Sequence, residues 1–282
     1  MTHRTLSRVV SVDPQQGSGI LHPFPTPQLP HIDPFVFLDT GAPKALGDND
    51  IYVGPHPHRG VQPVSLLFRG RIEHRDSLGH RRTVTSGGIQ WLVAGSGALH
   101  EEVLNGDEDG VFHMAQLWVN MPAALKMAPP EHHAVDAKDV PVVDTLGEGS
   151  SVRLYAGHLG GQTGPAPLPT PVLVAHLTLA AGGVATIPIP EGWTAAFTVV
   201  AGRVDVEGQT DLGAGATPVF ADDGSSIHVW SPSGGQVLLM CGEPLGEPIA
   251  MGGGFVMNSE ADVALAFADY KSGRMGKLEA SR

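Results

Sequence analysis

The sequence predicts an all-β chain of two jelly-roll-like barrels in tandem, closed by one short C-terminal helix. Three observations carry this. Glycine and proline, 37 and 24 of 282 residues, make up more than a fifth of the chain, a share that favours turns over long helices. The apolar runs are short and end at glycine-containing breaks, as strands do. The same succession of runs occurs twice, on either side of a proline-, glycine- and charge-rich stretch at 122–170. That repetition puts a first barrel at 1–135 and a second, with the helix, at 136–282.

Taken in order, residues 1–35 hold a short Val-Val-Ser-Val strand and then Pro23, Pro25, Pro27, Pro30 and Pro34, which keep the segment extended and able to wrap over the body. A strand follows at 34–39, and 40–55 reads as a loop leading to His56. Strands are expected at 64–69, 71–76 and 81–85, with breaks at Gly70 and at Ser77–His80, then at 89–94, 98–103 and 112–121. Residues 122–170 read as a connection with one strand at 152–158. The second half gives strands at 172–180, 184–189, 193–200, 203–207, 216–220, 227–230 and 236–241. Ser259 is placed to cap a helix whose apolar stripe is Val263, Phe267 and Tyr270, and Gly273 is placed to end it.

Composition excludes several roles. A formal net charge of -12 with no basic patch argues against direct nucleic-acid binding. Cys241 is the sole cysteine, so no internal disulfide forms, and its place at the end of an apolar strand marks it as core. No signal-peptide core and no apolar run of about 18 residues is present. The expectation is a cytoplasmic protein with no membrane partner.

The chemistry concentrates between His56 and Glu102. Side chains two apart on a strand share a face, with alpha carbons about 6.6 Å apart, so His56 and His58 can converge on one atom, as can His100 and Glu102. Two such pairs on neighbouring strands supply three imidazoles and a carboxylate to one cation, a set suited to iron, nickel, cobalt, manganese, copper or zinc. Alternation selects Glu102 over Glu101 as the carboxylate, provided the strand carries no bulge. A six-coordinate ion held by four ligands keeps two positions open, enough for an aromatic hydroxyl and dioxygen. Of the other histidines, His74, His80, His113, His132, His133, His158, His176 and His228 read as solvated or hydrogen-bonded.

The run His-Pro-His-Arg-Gly at 56–60 resembles the pirin family of bicupins, as does Gly-Ser-Gly-Ala-Leu-His-Glu-Glu at 95–102. So do Gln-Leu-Trp-Val-Asn at 116–120, Lys-Met-Ala-Pro-Pro at 126–130, and the C-terminal Gly-Glu-Pro-Ile at 246–249, Phe-Val-Met-Asn at 255–258, Asp-Tyr at 269–270 and Gly-Arg at 273–274. The resemblance implies two cupin barrels, with one metal, usually iron, in the first, and carries the ligand roles to His56, His58, His100 and Glu102. It implies quercetin 2,3-dioxygenase activity on a flavonol-like aromatic substrate with O2. It offers as the alternative a non-enzymatic, iron-dependent redox-sensing regulator acting through protein partners. Where relatives carry a glutamate four residues after the second histidine, this chain has Gln62, and an amide cannot act as a base. Glu102 is then the alternative base as well as a ligand. The second barrel is expected to hold no metal, since Pro188 and Pro190 fall where His56 and His58 stand in the first.

Overall fold

The computed structural model describes residues 2–16 and 18–278. Met1 and 279–282, the outermost residues of the expected two-barrel division, lie outside that range. The all-β reading holds, with 54% of residues in strands and 7% in helices. No helix among the described residues is long and apolar enough to cross a membrane.

The chain forms two compact units that do not follow its linear order. One comprises Met1–Ala42 with Lys138–Pro244, the other Pro43–Ala137 with Leu245–Arg282. The expected boundary near residue 135 falls close to the internal division, but each terminal segment belongs to the unit that the linear reading gave to the other half. The N-terminal strand Leu6–Ser11 pairs with Ala216–Phe220. Arg4, 3% exposed, fixes it there by donating to the carbonyls of Gly224, Trp193 and Pro190 and to Asp222. The C-terminal segment is bound just as firmly to the other unit, as shown below.

In the unit containing Pro43–Ala137, two sheets enclose an apolar interior. One orders its strands Asp50–His58, Ala98–Asn105, Arg71–Asp76 and Arg81–Thr85. The other includes, in order, Glu131–Val135, Ile89–Val93, Val61–Arg69 and Val111–Asn120. Leu67, Ile72, Val84, Leu104 and Phe112 form a buried cluster between them. Two expectations are corrected here. Part of the loop expected at 40–55 is strand, because Asp50–His58 pairs along Ala98–Asn105 and packs Ile51 and Val53 on that cluster. Part of the expected connection, Glu131–Val135, is also strand, paired with Ile89–Val93.

The other unit closes a ten-stranded sheet around an apolar interior that includes Val152, Leu154, Leu177, Phe197, Val199, Leu239 and Cys241. Burial pushes the Cys241 thiol up to about 12, so it stays protonated and unreactive. The strands expected at 193–200 and 203–207 are one strand, Thr194–Val206, whose register shifts between Val199 and Ala201 beside Gly202 at φ 67°. A local bulge absorbed by glycine bends this strand without breaking it.

The helix Glu260–Lys271 starts at Ser259, whose hydroxyl accepts from the Asp262 N–H, and stops before Gly273 at φ 78°. It buries Val263 and Ala266, and Ala266 packs with Phe255 and Met275. Phe267, expected in the buried stripe, is 38% exposed and meets Phe255 edge-on. Polar anchors hold this segment to its barrel. Arg59 donates to Ser96 O and to the carboxylate of Asp269, which Arg274 also contacts. The Lys126 ammonium has three donors and three acceptors: Gly60 O at 3.0 Å, Asn120 Oδ1 at 2.5 Å and Val256 O at 2.8 Å.

Replacing Lys126 by Met removes three hydrogen bonds from a buried position and should cost about 2–4 kcal/mol, read as a lower urea midpoint. The Arg59 and Arg274 partners hold the Asp269 carboxyl below its usual range. Its stabilisation is therefore complete above the ordinary carboxylate pKa, roughly 4, and is lost as pH falls through the depressed folded value. Asp269→Asn should flatten the acid limb of the stability–pH curve, measured by urea unfolding across that range.

Candidate metal centre

Antiparallel register places the first three candidate residues together. His56 lies opposite His100, and His58 opposite Ala98, so both histidines of the first pair share a face with His100. The three rings sit with centroids 5.0 Å (56 to 58), 4.3 Å (56 to 100) and 4.9 Å (58 to 100) apart. One ligating atom from each lies within 4.8 Å of the others.

The ladder is irregular between His100 and Glu102. The extra residue belongs to the Asp50–His58 strand, since Glu102 pairs with Val53. Ala98–Asn105 itself runs without a break against Arg71–Asp76, from His100 opposite Asp76 to Asn105 opposite Arg71. Alternation therefore survives where it matters. Glu101 turns to the other face, accepting from the Tyr52 hydroxyl at 2.8 Å and Arg75 Nε at 3.0 Å. Glu102 turns inward, and its Oε1 accepts from Gln90 Nε2 at 2.6 Å. Its carboxylate groups with His100 and His74, each offering a ligating atom within 4.8 Å of the others, rather than directly with His56 and His58.

Hydrogen bonds fix which ring nitrogens face the centre. His56 Nδ1 donates to Gly54 O at 2.8 Å, and His58 Nδ1 to Gly254 O at 3.1 Å. In each ring the bond at Nδ1 leaves Nε2 as the lone-pair atom, the usual device for orienting a metal-binding imidazole. His58 Nε2 and both nitrogens of His100 are buried and have no partner. Burial, helped by the neighbouring imidazoles, pushes His58 down to about 3 and His100 well below the usual histidine range. Both rings are therefore neutral, the ligating form. Unpaired buried lone pairs beside a carboxylate are what a divalent cation would satisfy, so the residues present fit a metal.

Residues the sequence reading passed over complete the surroundings. Trp118 meets His58 edge-on at 4.9 Å. His74 and His132, read singly as solvated or hydrogen-bonded, are 2% and 9% exposed; His74 bonds Asp76, and the three form a further group of ligating atoms. A usable signal was present, because His74 and Asp76 have the same two-residue spacing as His56 and His58. Gln62 corrects an expectation. Pro63 and Ser65 line the cavity beside Glu102, so alternation turns Gln62 to the opposite face, where it is fully buried. It does not occupy the position of a base in this centre.

The Pirin family profile matches residues 16–119 and that of the Pirin C-terminal cupin domain matches 174–276. The chain belongs to the pirin family. It is 34% identical over 252 residues to Pirin-1 of Arabidopsis thaliana, covering 87% of this chain and 84% of that one. A pirin-like protein of Caulobacter vibrioides is 33% identical over 285 residues, covering 97% of this chain and all of the relative. The crystal structure of a quercetin 2,3-dioxygenase from Acinetobacter baumannii superposes with a TM-score of 0.91 at 30% identity, over 99% of this pirin and 100% of that chain.

Gly254 ties this pirin's C-terminal segment to its histidines. A Cβ there would stand 1.9 Å from Pro57 O and 3.1 Å from His58 Nδ1. Gly254→Ala should displace the segment, lower Tm by several degrees, and free His58 to change tautomer, visible in the imidazole nitrogen shifts by NMR.

Proposed function

We propose that this pirin is a metal-dependent dioxygenase of the quercetin 2,3-dioxygenase type, opening a flavonol-like aromatic substrate with O2. It would use one divalent transition metal, Fe(II) foremost, with nickel, cobalt, manganese, copper or zinc as substitutes. The ligands would be His56, His58, His100 and Glu102. The observation that supports this most directly is the convergence of three imidazoles, two of them buried with unpaired ring nitrogens, beside an inward-turned carboxylate.

When bound, such a metal supplies a Lewis acid that lowers the pKa of a substrate hydroxyl and an open position for dioxygen. The protein's own groups do the rest. His56 is the one half-buried imidazole of the three, so a small molecule reaches the centre past it. Trp118 shields His58 from water. Glu102, braced by Gln90, is the proton acceptor within reach. Burial raises its pKa against the opposing influence of His74 and His56, the direction that suits a base working near neutral pH.

One observation favours the rival reading of an iron-dependent redox regulator that acts through a protein partner and turns nothing over. The cavity beside Glu102, lined by Pro63, Ser65, His74, Gln90, Trp91, His100 and His132 among others, is about 10 Å³. That is room for one water, so a flavonol needs space opened on the His56 side. Oxygen uptake by the Fe(II)-reconstituted protein with quercetin separates the two readings. Uptake matching flavonol loss mole for mole is expected, and uptake no faster than with free Fe(II) would reject the enzyme.

Metal content tests the ligand assignment. Glu102→Gln should lower retained metal at least tenfold and remove turnover, while Glu101→Gln should leave both close to wild type; the reverse order would place the assignment one residue off. Gln62→Glu should not speed turnover. It places a carboxylate where the amide already has no partner, and should cost about 1–3 kcal/mol of stability, measured by urea unfolding.

A further inference from the structure

Beside the proposed centre lies a second group of ligating side chains that neither the family resemblance nor the proposed function uses. His74, Asp76 and His132 are 2%, 5% and 9% exposed, and one ligating atom from each lies within 4.8 Å of the others. Asp76 is rigidly placed. Its Oδ1 accepts the N–H groups of Leu78 and His80 at 2.9 and 3.0 Å, which turns Oδ2 toward two imidazoles. His74 Nε2 lies 3.1 Å from Oδ2 and His80 Nδ1 2.9 Å from it. Those separations are close to the edge of a zinc-type tetrahedron, about 3.3 Å for bonds of about 2.0–2.1 Å. His132 Nε2 is buried with no partner, so the cluster has a lone pair that its own hydrogen bonds leave unused. A purely structural turn would need only the backbone contacts of Oδ1.

We propose that His74, Asp76 and His132 form a second divalent-metal site of zinc class, with His80 as the fourth, solvent-facing donor. The three histidines and one carboxylate give a borderline nitrogen-rich set that prefers zinc or cobalt to calcium or magnesium. In the structure the His74 and His132 rings are stacked, with centroids 3.8 Å apart and planes at 10°. Closing on one ion turns His132 out of the stack, a rotation about the soft χ2 torsion of histidine. The ion replaces the protons shared with Asp76, so binding releases protons and strengthens with pH. The site abuts the first, since the His74 and His100 rings are 5.3 Å apart. Mutual repulsion of two cations, offset by Glu102 and Asp76, makes one of them bind more weakly.

Titration of the chelator-stripped full chain with Co(II) tests this. Wild type should take up two equivalents, one with the intense visible absorption of four-coordinate cobalt. Asp76→Asn keeps a carbonyl oxygen for the turn but loses the anionic donor, and should bind one equivalent without that band. His132→Gln should do the same, while His58→Ala should keep the band and lose the other equivalent. A wild type that binds only one cobalt, or an Asp76→Asn variant that still binds two with the band unchanged, overturns the proposal. Should both cluster variants unfold, a zinc soak of wild-type crystals decides: an anomalous peak between His74, Asp76 and His132 upholds the site, and its absence there, with the first site loaded, removes it.

Discussion

Polar atoms held out of water without partners are the constraint around which this molecule is built. Each buried, unpaired donor or acceptor costs about 1–3 kcal/mol, and His58 and His100 leave three ring nitrogens in that condition. A barrel interior would lower its energy by letting these rings rotate or reach water. Around them, His56 is fixed by its bond to Gly54 O, His58 by its bond to Gly254 O, and Glu102 by Gln90. Apolar packing supplies the stability of the barrel, and these few directional bonds keep its reactive face uncollapsed.

The contrast with the other barrel makes the same point. There the interior positions carry valine, leucine, isoleucine and phenylalanine, side chains that satisfy one another by contact and need no orienting bonds. Two barrels of related architecture thus differ inside: one is filled by apolar side chains, and the other keeps a cluster of buried histidines and carboxylates.

Much of this was legible in the chain because strand periodicity is strict. The two-residue spacing of His56 with His58 and of His100 with Glu102 was enough to align each pair, and the bulge that threatened the argument sits in the partner strand, leaving Glu102 inward. Two things escaped for physical reasons. His74 and His132 lie on strands of different sheets that share no ladder, and only their rings meet, a proximity that periodicity along one strand does not carry. His132 lies on Glu131–Val135, whose strand character comes from its pairing with Ile89–Val93 and not from its own composition. Gln62 differs from the expectation because the resemblance carries residue types along the chain but not the face of the strand, and alternation sends it to the far face. Family resemblance identified the barrels but, being read along the chain, could not show that the terminal segments are exchanged between them.

That exchange has a temporal consequence. The carbonyl that fixes His58 belongs to Gly254, 196 positions further along, and anchors of Arg59 and Lys126 lie likewise far downstream, at Asp269 and Val256. During synthesis the first barrel's strands emerge long before the segment that orients its histidines, and a growing chain folds what it has as it emerges. The His58 ring is therefore oriented only after the intervening residues have left the ribosome and the segment around Gly254 has docked. Under the proposed function, metal capture would be a late event of assembly, and a chain cut short anywhere before residue 254 would lack the carbonyl that orients His58.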